Sequence, residues 1–305
     1  MDQSNEVTII GAGPAGIAAA IYLKRAGFHP VLLEAYKPGG LLRHAYLVEN
    51  YPGFPRGISG KKLVELFVEQ LHNLGLSIRK SAVKHVHFKN EVFLIDTDQG
   101  RLLSSAIIVA TGTCPKKLDM KGFASIEGTG LFYDPFSIPL EENEVKKRIL
   151  VIGGGDIAFD YTLTLLHGGH EVAIISRSEP TCLSLLHNRV LKNGAALHIK
   201  CVPEEIVMHR KNILLKCRQN DLDIEFCADF ILVACGREPN TWFLSPLLQK
   251  YLTTISDVPQ TALPGLYFAG DVVRRPYRQV GIAVGDGIRA AMMTERYLKE
   301  RPVRL

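Results

Sequence analysis

The stretch Val7-Thr8-Ile9-Ile10-Gly11-Ala12-Gly13-Pro14-Ala15-Gly16 constrains the fold of this chain more than any other. Four apolar or β-branched residues predict a buried strand, and the pattern from Ile17 to Ala26 predicts a helix directly after it. Between the two, Gly11 permits the tight turn, Gly13 lets backbone approach a pyrophosphate, and Gly16 lets the helix close on the strand. A helix that starts there presents unpaired N–H groups to phosphate, with Pro14 and Ala15 in its first turn. A second apolar strand, Val31-Leu32-Leu33, ends on Glu34, whose carboxylate is spaced to accept the hydroxyls of an adenosine ribose. Glycine spacing alone would mark only a close turn. Strand, turn, helix and acid in register predict a dinucleotide-binding unit.

The element occurs twice. Ile149-Leu150-Val151-Ile152-Gly153-Gly154-Gly155-Asp156-Ile157-Ala158 repeats the opening 142 residues later without a gap, so that Gly155 matches Gly13, Ala158 matches Gly16 and Gly169 matches Gly27. Alanine in the third slot still permits close helix packing. A second echo closes each unit: Ile107-Ile108-Val109-Ala110-Thr111-Gly112 resembles Ile231-Leu232-Val233-Ala234-Cys235-Gly236. Two such units predict an α/β protein with two Rossmann-like dinucleotide-binding domains. The copies differ at the ribose position, where Glu34 corresponds to Ser176 followed by Arg177. An acid would repel a 2′-phosphate, whereas a hydroxyl and a guanidinium suit one. The first site is therefore expected to take FAD or NAD, and the second leans towards NADP.

At 305 residues the chain is long enough for two domains with separate cores. A net charge of +5, with no Lys/Arg run and no aromatic-interleaved basic stretch, argues against nucleic acid. Basic residues collect towards the end (Arg274, Arg275, Arg278, Arg289, Arg296, Lys299, Arg301, Arg304), where a solvated surface explains them and an acidic protein partner is the alternative. No apolar stretch is long enough to span a bilayer and no signal peptide precedes Val7, so a cytoplasmic protein without membrane contact is expected. The six cysteines, at 114, 182, 201, 217, 227 and 235, include no Cys-x-x-Cys pair, and most are expected to be small buried hydrophobes; no metal site is expected.

Between the motifs, Lys37-Pro38-Gly39-Gly40-Leu41-Leu42 predicts a flexible turn that could lie against a flat ligand. Asn50-Tyr51-Pro52-Gly53-Phe54-Pro55 predicts a loop, either pocket-shaping or merely surface. Gly60 to Gly75 has the period of an amphipathic helix, Ala82 to Thr97 that of antiparallel strands broken at Lys89-Asn90, with His85 and His87 on their surface. Near the end, the strand Leu266-Tyr267-Phe268 delivers Gly270-Asp271, with Asp271 either a holder of a ribitol hydroxyl or a helix cap. A glycine-rich helix is expected from Gly281 to Tyr297.

These residues resemble the flavoprotein pyridine-nucleotide disulfide oxidoreductases, most closely the low-molecular-weight thioredoxin reductases, over essentially the whole chain. The matching motifs are Gly11-x-Gly13-x-x-Gly16, Pro38-Gly39-Gly40, Glu49-Asn50-Tyr51-Pro52-Gly53, Ala110-Thr111-Gly112, Gly153-Gly154-Gly155-Asp156, Gly236-Arg237-x-Pro239-Asn240, Gly270-Asp271, Tyr277-Arg278-Gln279-Val280 and Gly285-Asp286-Gly287. The resemblance implies a discontinuous FAD-binding domain of residues 1–114 and 240–305, an inserted NAD(P)H-binding domain of residues 115–239, and a homodimer. It implies FAD contacts from Gly11, Gly13, Pro14, Ala15, Gly16, Glu34, Gly40, Leu41, Asn50, Ala110, Thr111, Gly112, Gly270, Asp271, Arg278, Gln279 and Val280. For the nicotinamide coenzyme it implies Gly153, Gly155, Asp156, Ile157, Ser176, Arg177, Gly236 and Arg237.

Two departures redirect the functional expectation. The family's Tyr-Cys-x-x-Cys-Asp stretch is represented by Tyr133-Asp134-Pro135-Phe136-Ser137, so Asp134 and Ser137 stand where two redox sulfurs would be. The family's His-Arg-Arg-x-x-x-Arg signature is reduced to Ser176-Arg177-Ser178, with Cys182 at the last arginine's slot. The expected activity is an FAD-dependent oxidoreductase, leaning towards NADPH as donor, that passes electrons straight from flavin to an outside acceptor: a ferredoxin or flavodoxin, a quinone, oxygen or another small molecule. Tyr133 and Asp134 are the only side chains with a claim to orient or protonate anything there, and a loop-capping role for Asp134 competes. The alternatives are a flavoprotein with a donor other than nicotinamide, and a non-enzymatic redox sensor or scaffold.

Overall fold

The computed structural model describes residues 3–140, 146–209, 212–253, 259–273 and 277–300, so Arg274, Arg275, Arg301 and Arg304 of the basic tail lie outside the described residues. The chain divides into two compact units, one of residues 1–43, 47–114 and 238–305, the other of residues 44–46 and 115–237.

The first unit opens with β1 (Gln3–Ile10), α1 (Pro14–Arg25), β2 (Val31–Glu34), α2 (Gly60–Asn73), β3 (Ile78–Lys80), β4 (Val83–Lys89), β5 (Val92–Thr97) and β6 (Gly100–Val109). After β7 (Thr113–Pro115) the second unit runs through β8 (Leu131–Phe132), β9 (Arg148–Ile152), α3 (Asp156–His167), β10 (Glu171–Ile175), α4 (Ser184–Lys192) and β11 (Ala196–His198). It continues with the antiparallel β12 (Cys201–His209), β13 (Asn212–Gln219) and β14 (Leu222–Ala228), and closes with β15 (Phe230–Val233). From β16 (Arg237–Pro239) the chain completes the first unit with α5 (Pro246–Thr253), β17 (Leu266–Phe268) and α6 (Val280–Glu300).

The first unit's sheet has the order β3-β2-β1-β6-β5-β4. Its parallel half buries Val7, Thr8, Ile9 and Ile10 in succession, which is why that strand is a continuous apolar run instead of an alternating one. Strand β6 serves two partners along one edge: residues 100–104 pair antiparallel with β5, and residues 107–109 pair parallel with β17. One face of the sheet packs on α1, α2 and α6 through Leu23, Leu71 and Ala290, and the other collects Phe93, Phe243 and Leu248. Burying each such large side chain contributes roughly 1.5–3 kcal/mol. The hairpin β4–β5 turns at Asn90 and Glu91, both in the left-handed region, at the break the sequence predicts. Helix α2 is capped by Ser59, whose Oγ accepts from Lys62 N at 3.3 Å.

The second unit's sheet, β11-β10-β9-β15-β8, is wholly parallel. The sequence repeat survives as a repeat of hydrogen bonds. Gly11 N donates to Leu33 O at 2.8 Å and Gly153 N to Ile175 O at 3.0 Å, while Ala110 N and Ala234 N donate to Ile10 O and Ile152 O, both at 2.8 Å. Gly39 N donates to Ala12 O at 2.7 Å and Thr181 N to Gly154 O at 2.8 Å, so the repeat extends into a loop where the two sequences no longer look alike.

The cysteine expectation needs correction. Only Cys201 and Cys217 are buried, Cys114 and Cys182 are half-buried, and Cys227 and Cys235 are exposed. Cys227 falls on the outward register of β14, and Cys235 lies just past the end of β15, where burial ends.

The two helix–turn contacts differ in tightness. A Cβ on Gly16 would lie 1.9 Å from Gly11 O, whereas Ala158 already carries a Cβ in the matching position of the second unit. Gly16→Ala is therefore expected to destabilise the protein by about 3 kcal/mol, the upper end for overpacking, and Ala158→Gly by only about 1 kcal/mol from helix propensity. Denaturant unfolding of the two variants checks the difference, and equal losses would contradict it.

Candidate dinucleotide sites

The first site is assembled at the carboxyl ends of β1, β2, β6 and β17, and every contact in it lies within the first unit. Gly11, at φ +102°, passes so close to the end of β6 that an added Cβ would sit 2.5 Å from Ala110 O. Pro14 then starts α1, with no side chain capping its N-terminus. No atom lies within 4 Å of a Cβ built on Gly13 or on Gly112, so the turn is open on the side where a phosphate would approach. A Cβ built on Gly40 would lie 3.8 Å from the Gly13 Cα, which puts the Pro38-Gly39-Gly40 turn beside the first glycine turn.

Glu34 is fixed by backbone. Its Oε2 accepts from Ala12 N at 2.8 Å and its Oε1 from Tyr36 N at 3.0 Å. A carboxylate has about four lone-pair directions, so each oxygen keeps one for a ribose hydroxyl. From the far end of the unit, Gly270 packs onto α1, where its Cβ would meet Ala15 Cβ at 2.9 Å, and this places Asp271 in a short turn at the end of β17. Helix α6 crosses α1 at Gly287, whose Cβ would meet Ala15 O at 2.1 Å. The helix spans Val280–Glu300, longer at both ends than the sequence expectation.

At the N-terminus of α6, Gln279 Oε1 accepts from Asn50 Nδ2 at 2.7 Å, joining two of the expected residues. Arg278 Nε is buried with no hydrogen-bond partner among the described residues, a donor left to be satisfied. Sequence reasoning left Asn240 out of the site. Its backbone N donates to Gly112 O at 3.1 Å and its carbonyl accepts from Thr111 Oγ1 at 2.6 Å, which braces the Ala110-Thr111-Gly112 turn. The Pro239-Asn240 motif was the available signal. An open glycine turn, an anchored carboxylate and an orphaned buried guanidinium nitrogen together fit an FAD.

The second site repeats the scaffold with different chemistry. Gly153, at φ +150°, passes 2.5 Å (Cβ) from Ala234 O, and Gly155 is open as Gly13 is. Asp156 stands in the first turn of α3 and accepts Leu183 N at 2.8 Å. Ser176 is buried and its hydroxyl donates to Ser178 O at 2.8 Å, while Arg177 is exposed. Cys235 Sγ donates to Ile152 O at 3.2 Å. Although the residue is exposed, desolvation of the sulfur pushes its thiol up to about 11, against the pull of Arg177. Cys182 is likewise raised, by burial and then by Asp156. Both thiols stay protonated near neutrality, so neither is a ready nucleophile.

Tyr133 is no ready proton donor near neutrality, and Asp134 is held by its own turn and by His44, whose Nδ1 lies 3.4 Å from Asp134 Oδ1. Burial, followed by the charges of Glu127 and Cys235, pushes the Tyr133 phenol up to about 12. Asp134 caps the short turn Pro135–Ser137, with Oδ1 accepting from Phe136 N at 2.9 Å and Oδ2 from Ser137 Oγ at 3.3 Å. Among the described residues there is no cluster of His, Cys, Asp or Glu able to hold a metal ion, and no helix long and apolar enough to cross a membrane.

Comparison with known proteins agrees with this architecture. The model of the pyridine nucleotide-disulphide oxidoreductase family matches residues 5–287. The chain is 33% identical to the mitochondrial thioredoxin reductase 1 of Arabidopsis thaliana, over 98% of this chain and 85% of that one. It is 31% identical to the thioredoxin reductase of Escherichia coli O157:H7, over 97% of each. Among solved structures, the thioredoxin reductase of Lactococcus lactis superposes with a TM-score of 0.86 at 28% identity, covering 97% of this chain and all of that one. With two dinucleotide-type units, their hydrogen bonds in register and these relatives, the chain belongs to the pyridine nucleotide-disulphide oxidoreductase family.

Proposed function

We propose that this oxidoreductase binds FAD in its first unit and a reduced nicotinamide dinucleotide in its second, and passes electrons from the flavin directly to an external acceptor. The observation that carries the proposal is the chemistry of residues 134–137. Asp134 and Ser137 stand where the family resemblance puts the redox cysteines, Asp134 is committed to capping its own turn, and no two of the six cysteines are spaced as Cys-x-x-Cys. A carboxylate and a hydroxyl cannot accept a pair of electrons or form a mixed disulfide. The named relatives are thioredoxin reductases; this chain shares their scaffold with an aspartate and a serine, not a Cys-x-x-Cys pair, at residues 134–137.

Flavin, when bound, supplies the capacity to accept a hydride and to give electrons up again. The chain's own residues hold and orient it: Glu34 the adenosine ribose, the Gly11–Gly16 turn the pyrophosphate, Asp271 the ribitol, and Asn50, Arg278 and Gln279 the ring system. A small acidic electron carrier suits the exposed basic residues of α6, and a homodimer is the assembly the family resemblance implies.

Anaerobic mixing of flavin-loaded protein with a reduced nicotinamide should bleach the flavin band, and turnover should follow with ferricyanide or a quinone but not in a thioredoxin-coupled assay. Reduction of thioredoxin by purified protein would contradict the proposal, and an unbleached flavin would favour a donor of another kind. Glu34→Ala removes an acceptor that charge-assisted hydrogen bonds make worth about 1.5–3 kcal/mol. Its FAD affinity should fall by about tenfold or more, read as fluorescent flavin released on dilution.

A further inference from the structure

We propose that the second nucleotide site is blind to an adenosine 2′-phosphate and takes NADH at least as tightly as NADPH, an inference that rests on the reading of this unit as a nicotinamide-dinucleotide site. The repeat makes the comparison residue by residue. In the first unit the ribose position is held by Glu34, whose Oε2 takes the Ala12 amide. In the second, Gly154 stands in place of Ala12 and Ser176 in place of Glu34, and a Cβ on Gly154 would lie 2.5 Å from Ser176 Oγ. The serine oxygen thus occupies the same station beside the glycine turn that the carboxylate occupies in the first unit.

From that station it cannot read a phosphate. The sequence suggests a hydroxyl free to donate to phosphate oxygens, but its hydrogen is used on Ser178 O and the residue is only 3% exposed. A phosphate dianion needs donors or positive charge, and a buried serine with its hydrogen spent provides neither. The charges around this end of the site also cancel. Lys200 is paired with Glu179, its Nζ 3.9 Å from Glu179 Oε1, and Asp156 adds a negative charge in the first turn of α3 to set against Arg177. The loop that would carry further cations holds Ser178 and Cys182.

Arg177 has other work in this geometry. It follows Ser176, whose Oγ lies against Gly154 of the glycine turn, and it is exposed. An exposed guanidinium next to that turn suits the pyrophosphate, a group that NADH and NADPH share.

Calorimetric titration of the flavin-saturated full chain with NAD⁺ and NADP⁺ tests this without turnover. NAD⁺ should bind at least as tightly as NADP⁺, and Arg177→Ala should weaken both alike by about tenfold, the loss of one charge-assisted phosphate contact. Glu179→Lys, which breaks the local neutrality, should tighten NADP⁺ selectively. Preference for NADP⁺ of tenfold or more in the parent protein, abolished in Arg177→Ala, would overturn the inference while leaving the proposed function intact. Failure of both nucleotides to bind would instead overturn the underlying reading of the second unit, and the inference with it.

Discussion

The contact between Gly16 and the carbonyl of Gly11 is the constraint on which the first unit depends. A side chain there would sit 1.9 Å from a backbone oxygen, so only hydrogen can occupy the position. That approach sets α1 against the end of β1 with its N-terminus aimed over the turn. Everything else in the site is placed relative to it: Ala110 behind Gly11, Gly270 and Gly287 against Ala15, Gly40 beside Gly13. The second unit reproduces the turn with Ala158, a slightly looser version of the same junction that still holds the glycine turn open at Gly155.

Because the scaffold is copied, the differences between copies isolate what each site does. The first unit keeps a carboxylate locked by two amides, so the acceptor is oriented before any ribose arrives, and no ordering cost falls on binding. The second keeps the backbone pattern, down to the loop bond between Thr181 and Gly154, and changes the side chains that would touch a ligand. Function resides in such substitutions more than in the fold that carries them. Asp134 illustrates the same point: a turn that could present a sulfur instead presents an aspartate held by Phe136 N, Ser137 Oγ and the neighbouring His44.

Much of the fold was legible in the sequence, because glycine turns and continuous apolar strands leave few alternatives. The two units, the hairpin break at Asn90, the helix after Ser59 and the long terminal helix all follow from periodicity and turn chemistry. What escaped was whatever depends on hydrogen-bond partners. Ser176 has the composition of a phosphate ligand, yet it is buried and its hydroxyl donates to Ser178 O, neither of which the local sequence encodes. Asn240 braces the Thr111 turn across 129 positions of sequence, a pairing that no local pattern encodes. The cysteines misled for a related reason: exposure of Cys227 and Cys235 is set by register and by the end of a strand, not by residue type.

The central claim is that flavin is the sole two-electron centre of this chain, although its relatives are named as thioredoxin reductases. An anaerobic dithionite titration of the flavin-loaded protein tests it most directly. The account predicts that full bleaching consumes two electrons per flavin, the capacity of the cofactor alone. Uptake of four electrons per flavin would reveal a dithiol working in series with it and would contradict the account.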